Sequence, residues 1–315
     1  MTAIIILNWN GADDTLACLH SLEHAQGEFF IVLADNGSTD GSLAGIREYA
    51  ADSALDIKIL ELGNNYGFAK GNNKAIAYAS GFNPDSYMLL NNDTEVAPDF
   101  LTRLVEFLKS HSEYHILTPR INYFYDKNII WNCGGKQFWG FRKYYFAGKE
   151  MKLAMEKEYF PISFVTGCAL FFTLDVLDEK GVLLTERFFF GEEDFEFCLR
   201  MNKAGKRMAC VTDSCVYHKV GASTEGKNTP GRIYLYYLNR YVDVRLNFSA
   251  LSNMMWRLVN RIVILRYFRK HFGSYSQAFS KLKRLERESR NRETVTQDDF
   301  YRLIVKGDYF DETVD

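Results

Sequence analysis

The chain has 315 residues, 38 Lys and Arg against 40 Asp and Glu, and is 47% hydrophobic and 15% aromatic. Such length and apolar content suit one large domain or a domain with an appendage, and with only five prolines they exclude intrinsic disorder. A net charge of −2 gives no reason to expect nucleic-acid binding, and no uncharged apolar run reaches the roughly 18 residues that a bilayer span needs.

Residues 1–7 lack a charged leader and predict a strand over 3–7 rather than a signal peptide. Residues 12–24 follow as a helix with Leu16, Leu19 and Leu22 on one side. A second strand (29–34) leads through an acidic, Gly-rich turn to a helix over 42–51. A third strand (57–60) leads through a Gly/Asn loop to a helix over 72–79. The fourth strand (87–90) ends at Asn91-Asn-Asp-Thr-Glu95, and Pro98 opens a helix running to 109. Nearly continuous apolar strands alternating with helices predict an α/β fold with a mostly parallel sheet flanked by helices. Ligands of such sheets bind beyond the carboxyl ends of the strands. Asn8-Trp-Asn-Gly11, Asp35-Asn-Gly-Ser38, Gly63-Asn-Asn-Tyr-Gly67 and Asn91-Asn-Asp93 are therefore expected to converge on one crevice.

From 117 to 160 the aromatic-rich pattern predicts short antiparallel strands and loops, with Gly134-Gly135 as a turn. The rings there, Trp131 and Trp139 among them, suit a sugar face as well as a core of their own. A strand is expected over 164–173, a helix over 192–204 stopped by Gly205, a strand over 211–218, and helices from 232 to about 292. Six cysteines without CxxC spacing predict reduced, mostly buried thiols in a cytosolic protein.

Each polar segment has two readings. The Asp35 loop is a helix-capping turn, or a carboxylate accepting an N–H from a ligand such as a nucleobase. Asn92 and Asp93 form an Asx-type turn or a sparse cation site, since Mg²⁺ takes one or two carboxylates plus phosphate oxygens. Glu192, Glu193 and Asp194 in Phe188-Phe-Phe-Gly-Glu-Glu-Asp194 suit the positive end of a helix dipole. A carboxylate beside rings and another acid also has the raised pKa of a general base, and Arg200 stands two turns on, where it can hold one of the acids. His218 is a structural histidine or a metal ligand.

Taken in order, these segments resemble the family 2 glycosyltransferases of GT-A fold, rhamnosyltransferase-like members in particular. The resemblance rests on the 8–11 and 35–38 loops, Asn65-Tyr-Gly-Phe-Ala-Lys-Gly-Asn-Asn73, Leu90-Asn-Asn-Asp-Thr94, Gly167-Cys-Ala, Glu193-Asp194 with Arg200, and His218-Lys-Val-Gly221. It implies inverting transfer of a sugar, rhamnose or another hexose such as galactose or glucose, from a dTDP- or UDP-sugar. The acceptor would be a hydroxyl of a glycan or lipid-linked acceptor in cell-surface polysaccharide synthesis. It implies Asp35 on the base, with Leu7, Trp9 and Asn10 lining that pocket, and Gly67, Lys70, Asn73 and Asn92 near the nucleoside or diphosphate. Asp93 and His218 would hold Mg²⁺ or Mn²⁺. Asp194 would deprotonate the acceptor hydroxyl, while Glu193 would orient it or touch the acceptor. Asn91 stands where the family's metal motif usually begins with Asp, which admits a rival, a nucleotide-sugar-binding subunit without catalysis. The expected domains are 1–230, with a donor half (1–115) and an acceptor half (116–230), and a basic helical region over 231–315.

Residues 232–292 carry fourteen Lys and Arg against three acids, a net +11 that leaves −13 for the rest of the chain. Segment 254–272 has no acid, and its arginines recur every four or five residues. It reads as a helix lying in an anionic membrane surface, or as a solvated helix packed on its own domain or a partner subunit. The lipid-linked acceptors that the resemblance implies favour the first, with the enzyme peripheral on the cytoplasmic face of the membrane.

Overall fold

Along strand β1 (Thr2–Asn8), Ala3 and Ile5 enter one apolar cluster while Ile4 and Ile6 enter another. Successive side chains leave opposite faces of a strand, so an unbroken apolar run belongs to a sheet covered on both sides. The computed structural model describes residues 1–220 and 229–308. The chain forms two compact units, 1–185 with 194–223, and 186–193 with 224–315.

In the first unit β1 is followed by α1 (Ala12–Leu22), β2 (Phe29–Asp35), α2 (Ser42–Asp52), β3 (Ile57–Glu61), α3 (Gly67–Ser80) and β4 (Ser86–Leu90). Then come β5 (Thr94–Val96), α4 (Phe100–Ser110), β6 (Tyr114–Tyr123), β7 (Ile130–Asn132), β8 (Gly135–Phe138), β9 (Phe141–Tyr144), β10 (Tyr159–Ile162), β11 (Ala169–Thr173), α5 (Glu193–Lys203) and β12 (Arg207–His218). One sheet has the order β10-β12-β6-β11-β4-β1-β2-β3, with β5 beside β12 and β7 beside β6. Strands β1 to β4 pair in parallel, as do β6 and β12, while β11 runs antiparallel between β4 and β6. Cys18, Leu19 and Leu22 of α1 and Phe100 and Leu104 of α4 pack one face. Ala69, Ala75, Ile76 and Ala79 of α3, with Phe195 and Phe197 of α5, pack the other. The expected mostly parallel α/β architecture is borne out, and all six cysteines are buried.

Several local expectations are corrected. Helix α3 begins at Gly67, not residue 72, because Asn65 Oδ1 accepts the Gly67 N–H at 2.9 Å and starts the turn; Gly67 and Lys70 therefore lie on a helix rather than in a loop. The segment read as short strands opens with β6, a 10-residue strand inside the sheet. Its buried Thr118, Arg120 and Asn122 broke the apolar pattern. The hairpin turn falls at Trp139-Gly140, not Gly134-Gly135, with φ of +40° and +78°, as a two-residue hairpin of right-handed twist requires. The strand expected over 164–173 narrows to β11. Strands from both sides of residue 115 share one sheet, and residues 186–193 group with the C-terminal helices as one compact unit.

The second unit contains α6 (Thr229–Asn247), α7 (Ala250–Phe272), α8 (Tyr275–Ser289) and α9 (Gln297–Phe300), the last continued by a π-helical turn over Tyr301–Val305. Ser249 caps α7, and Ser274 with Gln277 forms a capping box on α8. Tyr234, Tyr241, Trp256, Ile264, Phe268 and Leu282 are buried. Segment 186–193 docks here, with the Phe189 N–H on the Val295 carbonyl at 2.9 Å. Asn239 Nδ2 donates to the carbonyls of Phe190 and Gly191 at 2.9 and 3.0 Å. Glu192, held at φ +85°, is ion-paired with Arg240 of α6. Among the described residues no helix is long and apolar enough to cross a membrane.

Candidate functional site

Parallel register sets the ends of the first strands side by side: Asn8 pairs with Asp35, and Asp35 with Glu61. Asn8 is fully buried. Its Nδ2 faces Asp35 Oδ1 at 2.8 Å and the hydroxyls of Ser38 and Ser42 at 3.0 Å. Its Oδ1 accepts from the Thr15 hydroxyl at 2.9 Å, and Thr15 Oγ1 in turn accepts from Asn92 Nδ2 at 2.9 Å. A continuous polar chain thus runs from Asp35 to the residue beside Asp93. A Cβ on Gly11 would stand 2.8 Å from Asn92 Nδ2, which keeps position 11 bare.

The third loop joins the same cluster. Asn36 donates to Asn65 Oδ1 at 3.0 Å and accepts the Tyr66 N–H at 3.0 Å. Gly37, at φ +75°, approaches the backbone of Asn64 so closely that a Cβ would lie 2.6 Å from its carbonyl carbon. Asp35 is buried, and its Oδ2 also accepts the Ser38 N–H at 3.0 Å, so the loop itself fixes the orientation of this carboxylate. Asn10, at φ +51°, accepts the Thr39 N–H at 2.7 Å, and Trp9 is 38% exposed. Leu7 packs against Gly71 of α3. The Lys70 ammonium lies 5.5 Å from the Tyr66 ring. Sequence reasoning passed over Asn8 and Thr15 as individual residues; a polar side chain closing an otherwise apolar buried strand is the signal that marks Asn8.

Asn73 is tied to a distant part of the chain. Its Oδ1 accepts the N–H groups of Leu183 and Leu184 at 3.3 and 3.0 Å, and its Nδ2 donates to the Leu184 carbonyl at 2.8 Å. This amide clasps the 183–184 backbone, a structural tie in addition to the role near the nucleoside or diphosphate expected of it.

Backbone pairing brings the expected metal ligands together. Antiparallel β5 and β12 place His218 opposite Thr94, and His218 Nε2 lies 3.2 Å from Asp93 Oδ1, both side chains under a tenth exposed. Asp93 Oδ1 accepts no well-aligned hydrogen bond among the described residues; the imidazole 3.2 Å away supplies its counter-charge when protonated, and a divalent cation would replace that proton. Adjacent ligands on an octahedral ion with bonds of about 2.1 Å stand roughly 3 Å apart, so this pair fits a shared Mg²⁺ or Mn²⁺. Among the described residues no group of three or more such side chains forms; waters or ligand oxygens would complete the shell. Burial alone would lower the pKa of His218, but the adjoining Cys168 and Asp93 raise it above its ordinary value. The Trp131 ring lies 4.5 Å from the imidazole. Gly221, which closes the motif after His218, lies outside the described residues.

Glu193 and Asp194 open α5. Asp194 was expected beside rings and another acid, with Arg200 available behind the acids. Instead Arg142 Nη1 of β9 lies 3.5 Å from Asp194 Oδ1, and its guanidinium is 5.3 and 5.2 Å from the Tyr144 and Phe164 rings. A cation there favours the anionic, proton-accepting carboxylate. Arg200 engages Glu196 at 3.4 Å and the Leu183 carbonyl at 2.6 Å, because a residue four back on the helix is within its reach and those nearer the start are not.

The family described as Glycosyl transferase family 2 matches residues 3–180. The low-salt glycan biosynthesis hexosyltransferase Agl10 of Haloferax volcanii is 26% identical over 254 residues, covering 78% of this chain and 76% of that protein. Residues 1–349 of S. aureus TarS superpose with TM-score 0.56 at 15% identity, covering 85% of this chain and 73% of that one. The mannosyltransferase PcManGT from Pyrobaculum calidifontis, in complex with GDP-Man and Mn²⁺, gives 0.58 at 14% identity, with 90% and 80% covered. GalNAc-T7 with UDP, GalNAc and Mn²⁺ gives 0.62 at 16% identity, with 98% and 58% covered. At such identities the structural likeness is one of fold.

Proposed function

The chain belongs to glycosyl transferase family 2, and from that premise we propose that it is an inverting, metal-dependent hexosyltransferase using a nucleotide-diphosphate sugar. The observation that carries the reading is the polar chain from Asp35 through Asn8 and Thr15 to Asn92, with Asp93 and His218 converging 3.2 Å apart beside it. Asp35 receives the base, Leu7, Trp9 and Asn10 line its pocket, and Gly67, Lys70 and Asn92 approach the nucleoside or diphosphate. UDP-bound TarS, PcManGT with GDP-Man and GalNAc-T7 with UDP support a nucleotide-sugar donor. A divalent cation on Asp93 and His218 would stabilise the charge that develops on the departing diphosphate.

Asp194 comes from a different segment than those ligands, as in-line attack from the opposite face of the sugar requires. It takes the proton of the acceptor hydroxyl while the oxygen bonds to the anomeric carbon, which inverts its configuration. Arg142 keeps the carboxylate anionic and oriented, and Glu193 contacts or orients the acceptor. The acceptor is a glycan or lipid-linked glycan of cell-surface polysaccharide synthesis, reached from the cytoplasmic side; Agl10 is a glycan biosynthesis enzyme. The sugar is rhamnose or another hexose. A thermal-shift screen of dTDP-, UDP- and GDP-sugars with Mn²⁺ identifies the donor, since a ligand bound only by the folded state raises its stability. With that donor, Asp194→Asn should lose transfer by about 100- to 10,000-fold while keeping nucleotide binding. NMR of the product should show the anomeric configuration inverted. Full activity in Asp194→Asn would refute the base assignment. A donor that binds but is never consumed would instead favour the noncatalytic binding subunit.

A further inference from the structure

Helix α7 buries one side and leaves an equally apolar side in solvent. Trp256, Asn260, Ile264 and Phe268 are buried. On the opposite side Met254, Met255, Leu258, Val259, Ile262 and Val263 are each 46–60% exposed. Their spacing, pairs recurring every four residues, places them on one continuous face. A contiguous exposed apolar face of this kind marks an interaction surface. On that same face the next turns carry the exposed Arg266, Arg269 and Lys270, and α7 contains no acid from end to end.

We propose that this face of α7 docks on an anionic lipid surface, its apolar side chains entering the headgroup boundary and Arg266, Arg269 and Lys270 meeting lipid phosphates. The charge pattern selects this occupant over a second copy of the chain. Paired in parallel, two α7 faces set these cations against each other. Paired antiparallel about the centre of the apolar run, the cations fall opposite Asn247, Phe248 and Leu251 of the other copy, again without an acid. An anionic headgroup layer supplies the counter-charge in either direction. The helix lies on the bilayer instead of crossing it, since its arginines interrupt any spanning run. This surface stands apart from the glycosyltransferase reading and is tested without turnover.

The test floats the full chain with phosphatidylcholine vesicles with and without phosphatidylglycerol, at low and high salt. The expected result is binding only to the anionic vesicles, weakened by salt. The triple variant R266A/R269A/K270A should bind on the order of 100-fold more weakly, from the usual near-surface contribution of each cation. L258E/I262E should abolish flotation while circular dichroism and Tm stay at wild-type values, because both side chains point into solvent. Equal binding to neutral vesicles, or binding indifferent to salt, overturns the proposal. So does a wild-type dimer that L258E/I262E converts to monomer in sedimentation while vesicles never bind, since the face then belongs to a second copy.

Discussion

Replacing Arg240 with Met tests the ion pair under the loop that leads into α5. Arg240 and Glu192 side chains are 3% and 1% exposed, and both guanidinium Nε and Nη2 engage the carboxylate. Methionine fills similar volume but leaves a buried carboxylate without its guanidinium, and breaking such a pair costs about 3–5 kcal/mol. Glu192 also sits at φ +85°, a left-handed conformation that costs a non-glycine residue roughly 1 kcal/mol or more. With an unfolding entropy near 2.1 cal/mol/K per residue, a loss of this size lowers Tm by roughly 5–8 °C if the chain melts as a whole. Calorimetry on wild type, Arg240→Met, Glu192→Gln and the double variant measures it. The double variant should recover at least about 1.5 kcal/mol relative to the sum of the singles, since no uncompensated charge remains buried. An Arg240→Met protein melting within about 2 °C of wild type refutes the reasoning.

Other outcomes follow from single contacts. Asp93→Asn and His218→Ala should each remove most of the Tm increase that Mn²⁺ gives in the presence of donor, measured against the Tm of the same unliganded variant; a full Mn²⁺ response in both would dismiss the pair as ligands. Gly37→Ala combines a left-handed φ with a Cβ set 2.6 Å from the Asn64 carbonyl carbon, and should cost about 2–4 kcal/mol in urea unfolding and weaken nucleotide binding. Burial works against ionisation of Asp175, but Lys206, Thr173 and His115 outweigh it and hold the carboxyl down at about 2. A depressed folded pKa gives stability that is complete above the unfolded value near 3.9 and is lost as pH falls through about 2. Lys206→Ala should therefore destabilise at pH 7 and shrink that acid-induced loss. The side chain of Asp175 is 49% exposed, so the effect should stay below about 1 kcal/mol and fade in high salt; equal acid sensitivity of the two proteins would dismiss the pair.

The first hundred residues were legible because hydrophobic periodicity there reflects one cause, burial of each strand on both faces. The same rule failed at β6, where Thr118, Arg120 and Asn122 are buried within the sheet and mimic an exposed alternation. Helix α3 was trimmed because Gly and Asn weaken helix propensity, while a side chain one turn earlier, Asn65, starts the helix anyway. Asp35, Asp93 and His218 stood out by sitting just after apolar strands. Arg142 gave no such sign: its role depends on the β8–β9 hairpin returning it to α5, and nothing within a few residues of it reports that. The hydrogen bonds from Asn73 to the 183–184 backbone were likewise hidden, since those partners lie more than a hundred residues further along the chain.

The 94–218 register, on which the Asp93–His218 contact depends, has a consequence for how the protein is made. One proposed donor leaves the ribosome with the fourth strand, and the other only with the last strand of the sheet. Until β12 docks against β5 and β6, the chain holds a carboxylate and a distant imidazole that no ion can bridge. A cation would then stabilise only the finished sheet, acting as a late lock on a structure of high contact order. A nascent chain arrested before residue 207 should gain no protease resistance from Mn²⁺, whereas the released protein should.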